Sequence, residues 1–130
     1  MTNEVHINQW KQFFDEESCD KLDWLTKVEV LSPDNGVQIL SEGLRLGGFT
    51  FEDKDKSPRI EIIVGKNTEH HQTHNILSPA KVYFRRADED STGTIEIEEG
   101  DGTKTLVYLT EPAHASVKDN DMETARTAAN

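Results

Sequence analysis

A single cysteine, Cys19, stands in the 130 residues, so no internal disulfide framework exists and the fold must rest on packing. Cysteine at that level fits a reducing compartment, and the expected location is cytoplasmic. Basic residues are scarce as well: 14 Lys+Arg face 25 Asp+Glu, a net charge of −11. That balance argues against nucleic acid and anionic membranes as partners, since both need basic surface. Apolar residues are 34% of the chain and mean hydropathy is −0.70, so the core must be small. There is no run of about 18 apolar residues that would suggest a membrane span. Met1 to Trp10 is polar, without the charged-then-apolar pattern of a secretory start. What remains is a small, soluble, acidic domain.

The length fits one domain, and composition divides it. Residues 1–110 read as the folded unit. In 111–130 the large apolar groups are Val117 and Met122 alone, too few to offset the entropy of ordering, so this stretch is expected to be a disordered tail.

Near the start, Trp10, Phe13 and Phe14 follow Asn8 at helical spacing, with Asn8 a suitable N-cap. A helix of about three turns is expected, its aromatic stripe packed on a sheet; left exposed, the same stripe would be a docking surface. Asp15, Glu16 and Glu17 lie at the unfavourable end of its dipole.

Beyond Leu22 the apolar period changes from 3.6 to 2. Lys27–Val30 alternates, Pro33-Asp34-Asn35-Gly36 supplies turn chemistry, and Val37–Leu40 returns. Leu44 and Leu46 alternate, and Phe49 and Phe51 resume in shifted register after Gly47-Gly48, which predicts a bulge or tight turn. Asp53–Pro58 reads as a solvated loop. Ile60–Val64, Val82–Arg85, Thr94–Glu98 and Leu106–Leu109 complete about seven short strands. Connections this short leave no room for parallel crossovers, so the prediction is a mainly β, antiparallel fold, a small curled sheet or barrel carrying one N-terminal helix.

Two clusters invite metal chemistry. Asp88, Asp90, Thr92, Gly93, Ile95 and Glu99 occupy positions 1, 3, 5, 6, 8 and 12 of an EF-hand calcium loop. However, Gly100 and Gly102 break the helix that must follow, and Pro79–Phe84 upstream reads as strand, so a hairpin is expected. His70, His71 and His74 form the second cluster, three imidazoles able to bind zinc or nickel if a fourth ligand is supplied. Without one, they belong to a polar loop. Cys19 sits among acids that disfavour its thiolate. No phosphate loop, nucleophile elbow or dinucleotide fingerprint occurs, so no cofactor is implied and nothing argues for an enzyme.

The order of several short motifs is informative. Trp10-Lys11-Gln12-Phe13-Phe14-Asp15-Glu16-Glu17-Ser18 resembles the "W-x-x-F-F-D-x-x-S" opening of a family of small bacterial proteins, the domain of unknown function 5335. Leu44–Phe51 resembles its "L-P-L-x-G-I-x-Y", with Arg45 where proline is usual. Arg59–Ile62 resembles its "I-E-I" strand, and His71–Ile76 with Pro79 its "H-L-x-H-x-I/P" segment, with Gln72 in place of an apolar residue. The likeness spans about residues 5–112 and implies no known activity, though it does place His71 and His74 on a recurring motif. The function expected is that of a non-enzymatic accessory or interaction domain with a protein partner; the alternative is a metal- or ligand-binding protein using the three histidines.

Overall fold

The computed structural model describes residues 2–54, 57–65, 71–86 and 91–112. Strand β1 (Thr2–Val5) leads through a 3₁₀ turn (Ile7–Gln9) into helix α1 (Trp10–Asp20). Then come β2 (Leu25–Ser32), β3 (Gly36–Lys54), β4 (Ser57–Val64), β5 (Gln72–Leu77), β6 (Pro79–Arg86), β7 (Thr92–Glu99) and β8 (Lys104–Thr110). They form one eight-stranded sheet in the order β1-β6-β7-β8-β2-β3-β4-β5. Every pairing is antiparallel, and the sheet does not close.

The 19-residue β3 makes this architecture possible. Its first half, up to Arg45, pairs with β2, and its second half, from Leu46, pairs with β4. The register shifts between Leu46 and Gly48, leaving Gly47 as the extra residue, and Gly48 takes φ +150°, a backbone state few other residues accept. The interruption expected at Gly47-Gly48 is thus a bulge inside one continuous strand.

Period-2 burial follows the alternation of the sequence. Val28, Val107 and Ile95 are paired neighbours on the inward face, as are Phe49 with Ile62 and Phe51 with Ile60. Val28, Ile60, Ile62, Ile95, Ile97 and Val107 are fully buried. Helix α1 covers this face. Trp10 and Phe14 are buried, and Phe13 is half-buried. Edge-to-face contacts join Trp10 to Phe51 at 5.4 Å and Phe13 to Phe84 at 5.5 Å; Phe14 meets Phe49 at 5.4 Å.

Two expectations are corrected and one is refined. Asn8 does not cap α1: it lies within the 3₁₀ turn, where the Gln9 N–H donates to His6 O at 2.8 Å, and Gln9 precedes the helix without a side-chain bond. The strands, expected to be about seven, number eight among the described residues. Edge strands β1 and β5 carry few apolar residues because they have little to bury, which hid them from periodicity. Asp53–Pro58 is not a free loop, because β3 runs to Lys54 and β4 starts at Ser57. Two of the acids at the unfavourable end of α1 are paired: buried Glu17 holds Lys21 at 2.7 Å, and Lys11 holds Asp15 at 3.1 Å. The proposed tail lies, from residue 113, outside the described residues.

Candidate functional site

The helix motif resolves into a clasp. Trp10, Phe14 and Ser18 are spaced four apart and share the inward face of α1. The Trp10 indole donates to Val5 O at 2.8 Å, tying the helix to β1. The Ser18 hydroxyl accepts from the Phe49 N–H at 2.7 Å and lies 2.7 Å from Phe14 O, which accepts its proton. Burial of Trp10 and Phe14 removes them as an exposed docking stripe: burying each aromatic is favourable by about 1.5–3 kcal/mol, so the sheet is the stripe's partner.

The histidines separate. His71 is exposed just before β5, while His74 stands within it opposite Ile62, at the end of the inward row Phe49–Ile62–His74. Three residues apart in extended chain, they face opposite sides of the sheet. His74 Nε2 is buried without a hydrogen-bond partner among the described residues, and burial pulls its pKa below the ordinary 6.5. His70 lies outside the described residues. Among those described, no group of three His, Cys, Asp or Glu gathers as a metal would require.

From Thr92 onward the calcium-like segment is strand. Thr92, Gly93 and Ile95 belong to β7, and Glu99 ends it; Asp88 and Asp90 lie outside the described residues. Glu99 is partly buried, and this together with Asp101 raises its pKa. Cys19 is exposed.

Concave surface is shallow. A groove of about 440 Å³ beside the β3–β4 turn is lined by Glu52, Lys54, Arg59 and Leu77, with Arg59 bonded to Glu52 at 2.6 Å. Another, of about 270 Å³, runs between α1 and β1 over Phe13 and Phe84. Neither places a nucleophile beside a base. Among the described residues, no helix is long and apolar enough to cross a membrane.

A different region stands out: the arm formed by β2 and the first half of β3. Its turn is held by Ser32 Oγ, which accepts from the Asp34 and Asn35 N–H groups at 3.3 Å each, and Gly36 opens β3 at φ +72°. Residues 33–40 are all exposed, including Val37 at 61%, Ile39 at 54% and Leu40 at 39%. Val37 faces Leu31 and Ile39 faces Glu29 across the hairpin. On the side away from β2, no described strand pairs with residues 36–44. Sequence reasoning found this hairpin but not its exposure. The available signal was the run Gly36–Ser41, uncharged and lacking a clean polar–apolar alternation.

The model of a family of unknown function, DUF5335, matches residues 1–118. The chain belongs to that family. No curated protein and no solved structure matches it. Trp10, Phe14, Ser18 and Gly48, within the segments that suggested the DUF5335 likeness, take part in the helix–sheet clasp, and His74 ends an inward row. In this member of DUF5335, then, those motif residues have structural places.

Proposed function

We propose that this DUF5335 protein is a non-enzymatic interaction domain whose docking element is the β2–β3 arm. The observation that carries the reading is the exposure of Val37, Ile39 and Leu40 on a strand whose outer side pairs with no described strand. Exposed apolar residues on a free strand edge are a liability that proteins ordinarily blunt with charge, proline or a short strand. The other two edges are blunted: β1 has four residues including Glu4, and β5 opens with polar Gln72, Thr73, His74 and Asn75. The β3 edge keeps five exposed uncharged residues, Gly36 to Leu40. A partner would cover them.

A photo-crosslinking side chain placed at position 38 in living cells tests the reading. Defined adducts are expected there and not from the same group at Lys11, on the solvent face of α1. Adducts absent at 38, or equal at both sites, would sink it.

A further inference from the structure

We infer that the occupant of the β3 edge is an extended segment of a basic partner, added as a further strand with a Lys or Arg near each end. This rests on the arm being the docking element and identifies what docks. Strand addition suits the geometry, because backbone groups along residues 36–44 have no described strand on their outer side, and main-chain bonding supplies affinity without demanding one sequence.

Charge selects the partner. The arm carries Glu29, Asp34 and Glu42 against two bases near its root, Lys27 opposite Glu42 and Arg45 opposite Leu25, and from residue 28 to the turn and back to 44 it has no Lys or Arg. Asp34, in the turn, and Glu42, in β3, bracket the uncharged run, and the strand from Gly36 to Glu42 spans about 20 Å. A strand of about nine residues with a cation at each end would reach from Glu42 to the turn that carries Asp34 and lay apolar side chains beside Val37 and Ile39. The overall charge of −11 would steer such a segment inward.

A second copy of this chain fits worse. Antiparallel self-pairing centred on Gln38 sets Val37 against Ile39 twice, the best apolar match. The same register brings Glu42 of each copy to the turn that carries the other's Asp34, and like charges held close are destabilising.

The test uses the full chain and two blocked nine-residue peptides. Both alternate Thr and Val through the middle; one ends in Lys at each terminus, the other in Glu. Binding is followed by titration and by amide exchange at residues 36–42. The Lys-ended peptide should bind about tenfold more tightly, because two attractive pairs replace two repulsive ones. It should protect those amides, and its advantage should shrink as salt screens the ends. In Asp34→Lys/Glu42→Lys the preference should reverse. Because Val37 and Ile39 are more than half exposed, Val37→Lys/Ile39→Lys should fold normally and weaken binding.

Equal affinities that Val37→Lys/Ile39→Lys abolishes would overturn the basic partner while leaving the arm as a docking edge. Binding unaffected by that variant would overturn both. Binding of neither peptide, or self-association that protects 36–42 without peptide, would also overturn the proposal.

Discussion

Ser18 Oγ and Phe49 N lie 2.7 Å apart, a bond that joins the last turn of α1 to β3 just after the bulge at Gly47 and Gly48. At the bulge the ladder shifts register, and the amide that follows finds its acceptor on the helix. Ser18→Ala removes that acceptor and strands a part-buried N–H, at a cost of about 1–3 kcal/mol. At about 4 °C per kcal/mol for a domain near this size, the melting temperature should fall by about 4–12 °C. An unchanged midpoint would mean that water replaces the hydroxyl and that the clasp is incidental.

Lys21 and Glu17 pose a different energetic question. Their side chains are only 10% and 8% exposed, and the ammonium also lies 5.3 Å from the Trp24 ring centre and 5.1 Å from that of Phe84. Breaking a buried pair leaves one charge without its partner, so Lys21→Met alone should cost about 3–5 kcal/mol. Replacing both, as Glu17→Met/Lys21→Met, should cost much less than the two single changes together, since no charge is then left buried. Chemical denaturation of the two single variants and the double variant closes the cycle. Additive losses would contradict the pairing.

These two features mark what sequence could and could not supply. Alternation at Ile60–Val64, Thr94–Glu98 and Leu106–Leu109 is legible because a half-buried strand imposes period 2 on its residues, and the Trp10–Phe14 spacing is legible for the matching helical reason. The Glu17–Lys21 pair was hidden because a charge reads as solvent-facing until tertiary packing covers it. β1 and β5 were hidden because an edge strand with little to bury carries no pattern. At the candidate site, Pro33-Asp34-Asn35-Gly36 revealed the turn. Whether Val37 and Ile39 would be covered depended on where β4 leaves β3, at Leu46, which no local pattern encodes.

His74 predicts an acid-sensitive fold. Burial lowers its pKa in the folded state below the 6.5 of the unfolded chain, so the unfolded state takes up the proton first. Above pH 6.5 both states are neutral there and the residue gives no slope. As pH falls through 6.5 and below, stability is lost until the folded state also protonates. His74→Leu deletes this contribution, so the variant should gain on the wild type in melting temperature between about pH 6.5 and 5. A constant difference across that range would show that His74 is solvated in both states.

Calcium supplies the last prediction. In an EF-hand, ligands at loop positions 5 and 12 converge on one ion, which requires the chain to wrap around it. Here those positions are Thr92 and Glu99, the two ends of β7, which pair with Thr110 and Pro79 on different neighbouring strands. Seven extended steps separate them by about 23 Å, far beyond two ligand bonds of about 2.5 Å each. Bringing them together would dismantle β7 and expose Ile95 and Ile97, both fully buried. That loss, about 1.5–3 kcal/mol for each side chain before any ladder bond is counted, opposes binding. A 10 μM site would stabilise the fold by about 2.7 kcal/mol at 1 mM calcium, so thermal melting has ample sensitivity. The midpoints in 1 mM calcium and in chelator should agree to within about 2 °C. A rise of several degrees in calcium that Glu99→Gln abolishes would require β7 to rearrange and would make this a cation-binding protein.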